Sequence, residues 1–193
     1  MNDLKTNKET MRTEAKRARL LLSLDIGECK TLRHHFFFNI ETNKNSVVAA
    51  YLPIDREIDT TPLIDELLDK GVTVVLPVVQ KNSRILKFVE FTNDTELTSG
   101  AFGVCHPLIN ENTEYLSPDI FIVPLLAFDR KGCRLGFGGG YYDATLAHYK
   151  KDKDVVAVGL AYAEQACLFN LPSEKHDIKM DYIITQQGAF DFT

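Results

Sequence analysis

The chain has 193 residues, 45% of them hydrophobic and 25% charged, and a net charge of −5 at pH 7. That length suits one domain, residues 1–193, which buries most of its apolar surface without a metal or disulfide staple. The acidic balance argues against a general polyanion binder. Cys29, Cys105, Cys133 and Cys167 lack metal-ligand spacing, Met1 to Thr13 is polar and charged where a secretory leader would be apolar, and no apolar stretch approaches the ~20 residues of a membrane span. The expectation is a monomeric cytoplasmic protein with reduced thiols and neither nucleic acid nor membrane as partner.

Residues 7–24 read as an amphipathic helix with Met11, Ala15, Ala18 and Leu22 on its apolar face; Lys16, Arg17 and Arg19 read as a solvated basic face. A second helix is expected over Glu28–Phe38. Val47–Leu52 is a short β-rich run closed by Pro53, and Thr61-Pro62 starts a helix with a cap residue followed by proline at its first position. Leu63, Ile64, Leu67 and Leu68 form that helix's stripe, Gly71 stops it, and Val72–Val79 follows as a buried strand. Strand, helix and strand in this order predict a parallel pair. Ile85–Phe91 alternates as an edge or antiparallel strand does, and Asn93–Pro118 reads mostly as loop. Ile120–Leu126 is apolar enough for a strand covered on both faces, Tyr142–Lys151 has helical spacing, and Val155–Tyr162 and Tyr182–Thr185 supply the last strands. The pattern predicts an α/β fold with helices on both faces of a largely parallel sheet.

The run Val123–Asp143 carries the chemistry. It places a basic turn, Arg134, a glycine cluster and a carboxylate between a strand and a helix. Glycine permits positive φ and close approach, and N–H groups at a helix start favour an anion, so Gly136–Gly140 reads as a phosphate loop to which Arg134 adds a bidentate fork. The competing reading is a tight turn with no ligand. Gly136, Gly138 and then Tyr141 break G-x-G-x-x-G, and no G-x-x-x-x-G-K-[ST] occurs. Cys133 has no apparent Cys-His-acid set and reads as a neutral thiol.

Pro124-x-x-Ala127-Phe128-Asp129, followed by Gly132-x-Arg134-Leu135-Gly136-x-Gly138-x-Gly140-Tyr141-Tyr142-Asp143, closely resembles the signature of the 5-formyltetrahydrofolate cyclo-ligases, or methenyltetrahydrofolate synthetases. Lys8 and Arg12 match that family's basic pair, residues 52–60 its strand-end acidic segment, and Gln165 with residues 171–177 its C-terminal block. The matches span nearly the whole chain in order. The resemblance implies a single three-layer, Rossmann-like domain and an enzyme that closes 5-formyltetrahydrofolate to 5,10-methenyltetrahydrofolate, using ATP as co-substrate and Mg2+ and releasing ADP and phosphate.

On that resemblance Lys8, Arg12, Arg134 and the segment Leu135, Gly136, Phe137, Gly138, Gly139, Gly140, Tyr141 and Tyr142 would hold ATP. Leu52 and Glu57, with Phe137, Gly138, Gly139, Gly140 and Tyr141, would border the folate, with or without a polyglutamate tail. Arg134 and Asp143 would act in the phosphoryl step, and Asp143 and Asp177 would hold the metal. Each residue has a plainer reading: Lys8 a tail lysine, Leu52 a core leucine, Glu57 a solvated loop charge, Asp143 a carboxylate on a helix dipole. Where many family members have Gly-Ile-x-Glu-Pro, this chain has Gly103-Val104-Cys105-His106-Pro107; His106 reads as an exposed loop histidine or a rim substitute for the acid. A non-catalytic folate- or nucleotide-binding module and a sugar-phosphate isomerase are the alternatives. The set Arg134, Asp143 and Asp177 weighs against the first, and the lack of a plausible isomerase base against the second.

Overall fold

The computed structural model describes residues 2–100 and 103–193, with side chains from residue 7 onward. Met1 and residues 101 and 102 of the expected 93–118 loop lie outside the described residues. The first helix, α1, spans Asn2–Arg19, so it ends five residues before the expected boundary; the N–H groups of Leu21 and Leu22 bond the carbonyls three residues back and close its last turn. Helix α2 (Ile26–Asn39) starts two residues early because Asp25 and Glu28 form a reciprocal capping box. Strand β1 is Val47–Ala49 and helix α3 is Thr61–Asp69. The cap position of α3 is Thr60, not Thr61, and its hydroxyl donates to the Tyr51 carbonyl instead of capping the helix.

Strands β2 (Thr73–Val78) and β3 (Lys87–Phe91) follow, then the small antiparallel pair β4 (Leu97–Ser99) and β5 (Cys105–Pro107) in the segment that reads mostly as loop. The expected strand over 120–126 is β6 (Ile120–Pro124), after which the chain enters a separate hairpin of β7 (Ala127–Phe128) and β8 (Arg134–Leu135). Helix α4 is Tyr141–Tyr149 and strand β9 is Val156–Leu160. Strand β10 (Tyr182–Thr185) is not the last; β11 (Gly188–Asp191) folds back on it.

Seven strands form one sheet in the order β11-β10-β9-β6-β1-β2-β3, and β1, β2, β6, β9 and β10 pair in parallel. Both edges, β3 and β11, are antiparallel. Taken as parallel strands one to five, the central order is 2-1-3-4-5, a doubly wound order whose direction switches between β1 and β6. Successive side chains of a strand point to opposite faces, and both sets are apolar here. Val48, Val74, Ile120 and Ile122 pack against Leu32 and Phe36 of α2 and Leu63, Ile64 and Leu67 of α3. Ala49, Val75, Phe121 and Val123 pack against Leu146 and Tyr149 of α4. The sheet is therefore covered on both faces. Helix α1 instead lays Met11 and Ala15 on the hairpin residues Ala127, Cys133 and Leu135; Leu22 reaches the main core and Ala18 is exposed. Among the described residues no helix is long and apolar enough to cross a membrane.

The hairpin turn depends on Asp129, which is 1% exposed. Its Oδ1 accepts from the N–H groups of Lys131 (2.9 Å) and Cys133 (3.1 Å), and its Oδ2 from Leu171 N–H at 2.8 Å. One carboxylate thus fixes the turn before the glycine cluster and anchors the start of the C-terminal block. Asp129→Ala should lower unfolding stability by roughly 3 kcal/mol, since it leaves the buried N–H groups of Cys133 and Leu171, and the part-buried one of Lys131, without an acceptor. Asp129→Asn, which keeps one acceptor oxygen, should lose distinctly less. Urea unfolding with an unchanged denaturant slope checks both.

Candidate active site

In open α/β sheets a crevice forms beyond the carboxyl ends of strands at the switch point. Here β1 leads into residues 50–60, and β6 leads through the hairpin to the glycine cluster. The cluster therefore follows the hairpin arm β8, not the sheet strand as the sequence predicts. Gly138 and Gly140 have φ of +102° and +68°, a region that other residues rarely enter. Gly140 is the N-cap of α4 and offers no side chain to the first-turn N–H groups, so that helix start can take an anion. Arg12 Nε donates to the Gly136 carbonyl at 3.0 Å, and its guanidinium lies 3.3 Å from where a Cβ on Gly138 would stand. Gly138 and Gly139 are exposed, Leu135 is buried, and Gly136, Phe137, Gly140, Tyr141 and Tyr142 are half-buried.

Arg134 pairs with Asp143 across 2.7 Å and also donates to the Ile178 carbonyl at 2.5 Å. Asp143 Oδ1 accepts both Arg134 and the Ile178 N–H at 3.0 Å. The two expected phosphoryl-step residues thus lock β8, α4 and the C-terminal block together. Lys8, 7% exposed, sits on that block too, with Nζ 2.7 Å from Asp177 and 2.9 Å from Glu174. Burial pushes the Asp177 carboxyl up, but the Lys8 hydrogen bond, the Glu174 N–H and the Lys8 charge outweigh it and hold it below its usual range. For Lys8, burial lowers the ammonium while Asp177 and Glu174 raise it to a net increase.

Glu57 is buried at 8% exposure, so it is not a solvated loop charge. Residues 54–57 close on themselves: Ile54 N–H donates to Glu57 Oε2 at 3.0 Å, Glu57 N–H donates to the Ile54 carbonyl, and Asp55 takes a φ of +50°. Burial pushes the Glu57 carboxyl up to about 7, against the Ile54 hydrogen bond and the Arg19 charge and with help from Asp55. Leu52 packs half-buried against the main core. Arg19 overturns its reading as a solvated residue: it is 2% exposed, 3.6 Å from Glu57, and its guanidinium covers the Phe137 ring at 5.0 Å. It joins the acidic segment to the glycine cluster. The sequence held the signal, because Arg19 stands four and eleven residues round the helix from Ala15 and Lys8, three turns up the same stripe as Lys8 and Arg12.

Glu174 and His176 also join the site, with ligand atoms within 4.8 Å of one another and of Asp177; Asp143 is not part of that cluster. A magnesium ion held largely by phosphate takes one or two protein carboxylates. Glu174 and Asp177 offer two, of which Lys8 compensates one, so this donor set fits a hard cation. His106 is half-buried on β5 against Gly100, with Nδ1 2.9 Å from the Pro107 carbonyl, and so is not an exposed loop histidine. Burial pushes the Cys133 thiol up, away from the thiolate. A cavity of about 230 Å3, lined by Met11, Ala15, Leu22, Cys167 and Phe169 among others, opens beside the site and shares Arg19 and Leu135 with it.

Because Arg134 is buried, Asp143→Asn should cost stability as well as function: one partner of a buried pair is lost, worth about 1.5–3 kcal/mol where a charged hydrogen bond goes. A clear drop in the thermal midpoint is expected, and an unchanged midpoint would show the pair to be inert.

The 5-formyltetrahydrofolate cyclo-ligase family model matches residues 2–186. A 5-formyltetrahydrofolate cyclo-ligase of Haemophilus influenzae is 35% identical over 178 residues, covering 90% of this chain and 94% of the relative. One of Escherichia coli K12 is 36% identical over 148 residues, covering 75% and 80%. The solved 5,10-methenyltetrahydrofolate synthetase of Aquifex aeolicus superposes with a TM-score of 0.76 at 30% identity, covering 96% of this chain and 92% of that one. A Mycoplasma pneumoniae synthetase, at 22% identity and a TM-score of 0.68, shares the fold. Matches this long, over motifs that the fold gathers at one switch point, make the chain a member of the 5-formyltetrahydrofolate cyclo-ligase family of enzymes.

Proposed function

We propose that the chain catalyses the ATP- and Mg-dependent closure of 5-formyltetrahydrofolate to 5,10-methenyltetrahydrofolate. The observation that supports this most is a crevice with a cationic glycine loop on one side and a buried carboxylate on the other, joined through Arg19 and Phe137. A formamide oxygen is a poor leaving group. Transfer of the γ-phosphoryl group of ATP to that oxygen releases ADP and leaves an iminium phosphate. The neighbouring anilino nitrogen then attacks the formyl carbon and sheds its proton; the C–O bond breaks, and phosphate departs. No protein nucleophile is required, so the residues have to align the reactants and offset charge.

In this reading the N–H groups of residues 136–142, Arg12 and Arg134 bind the phosphates, and Lys8 turns from Asp177 toward them when nucleotide arrives. Asp177, with Glu174 and with Asp143 on the Arg134 side, would hold magnesium, which supplies charge neutralisation at the transferring group. Glu57 accepts from the N–H donors of the pterin, Leu52 packs on its ring, and Phe137 to Tyr141 border both ligands.

The near-ultraviolet absorbance of methenyltetrahydrofolate tests the proposal directly: product should form from 5-formyltetrahydrofolate only with ATP, and chelation of divalent ions should stop it. Product formation without ATP would overturn the phosphoryl step. Arg134→Ala should raise the ATP Michaelis constant or lower kcat by roughly ten- to a hundredfold; folate affinity should move less.

Glu57 adds a pH signature. Its carboxyl is neutral below about 7 and charged above, so affinity for 5-formyltetrahydrofolate should fall as pH drops through that value. Glu57→Gln should flatten this dependence and lower folate affinity roughly ten- to a hundredfold while leaving ATP affinity near wild type. Titration calorimetry with each ligand separately checks both, and a pH dependence surviving in Glu57→Gln would assign it to another group.

A further inference from the structure

Arg19 carries a buried donor with nothing to donate to. Its side chain is 3% exposed, and Nη1 is fully enclosed without a hydrogen-bond partner among the described residues. The facing atom is Glu57 Oε1, 3.6 Å away, within ion-pair range but beyond hydrogen-bond reach. Oε2 of the same carboxylate is satisfied by Ile54 N–H; Oε1 receives no hydrogen bond among the described residues. An enclosed charged pair ordinarily closes to contact, as Arg134 and Asp143 do at 2.7 Å, because leaving either group unbonded is costly. Here a cationic donor and an anionic acceptor stand side by side, both unfilled, and the Phe137 ring holds the guanidinium in place.

We propose that Arg19 and Glu57 form a donor–acceptor fork that reads the pyrimidinone edge of the pterin, Arg19 Nη1 donating to the 4-oxo oxygen and Glu57 Oε1 accepting from the adjacent N3–H. The inference rests on the assignment of Glu57 to the folate half of the crevice. The fork makes Arg19 a specificity-determining residue. A ligand edge with C=O and N–H on neighbouring ring positions fills both vacancies at once. A 4-amino pteridine puts a donor against the Arg19 donor and an unprotonated nitrogen against the carboxylate, and so satisfies neither.

The test compares 5-formyltetrahydrofolate with its 4-amino-4-deoxy counterpart, which differs only at that edge, by titration calorimetry on the full chain. Wild type should prefer the 4-oxo ligand by about ten- to a hundredfold. Arg19→Met, which keeps the unbranched stem, should lower the ratio distinctly and leave only the share that Glu57 reads; Arg19→Lys, which keeps a cationic donor, should fall between the two. Circular dichroism establishes that each variant is folded. A wild-type protein that binds both ligands equally, or a folded Arg19→Met that keeps the full preference, overturns the fork while leaving the folate assignment intact. Failure of wild type to bind either ligand overturns the folate assignment and the fork with it.

Discussion

Three segments that build the crevice, α1, the β7–β8 hairpin and the block from residue 171 to 180, make no strand of the main sheet. What fixes them is a buried requirement for charge balance. Arg134 cannot be enclosed without an acceptor, and Asp143 and the Ile178 carbonyl supply it; Asp143 in turn needs donors, and Arg134 and the Ile178 N–H are those. The exchange ties the start of α4 to a segment 35 residues further along the chain. Asp129 does the same for the hairpin and Leu171, and Lys8 for α1 and the C-terminal block. Polar clamps thus position what the apolar core does not reach.

The central sheet was legible because its strands are apolar on both faces and separated by helices with their own stripes: Val48 beside Ala49 and Ile122 beside Val123 serve opposite cores. Short elements outside the parallel strands were not legible, although the four-residue β10 and the three-residue β1 were. The β7–β8 hairpin is hidden inside the motif Ala127–Leu135, whose glycine and basic residues read as one loop, and β4, β5 and β11 are too short for alternation to stand out. Boundaries failed where a local polar bond decides them, as the Asp25–Glu28 box does for α2. Candidate site residues were named by resemblance, while their partners were not. Arg19 and Glu57 look solvated in a sequence because charge is the commonest mark of exposure, and only long-range folding encloses them.

Two carboxylates of the site with cationic partners, the half-buried Asp177 and the buried Glu57, respond to pH in opposite senses. Asp177 lies below its usual range, so its contribution to stability is complete above the ordinary carboxylate value and is lost as pH falls through the lowered one. Glu57 lies above its usual 4.5, at about 7, so folding favours its neutral form and stability declines as pH rises across that interval. The difference follows from donors. Asp177 has an ammonium and an N–H in hydrogen-bond contact; Glu57 has one N–H and a guanidinium held out of bonding range. A carboxylate maintained at a cost to stability is the arrangement expected where a ligand supplies the missing donor.

Helix α1 is where these effects meet. Lys8, Arg12 and Arg19 project from one stripe, three turns from first to last, toward the acidic block, the glycine cluster and Glu57 in turn. The helix itself rests on the hairpin through only a small apolar cluster. One helix with a modest apolar footing thus presents three of its cations to three separate parts of the crevice. The glycine-cluster side and the acidic side of the crevice therefore share one source of positive charge: the same helix sets the cation facing each.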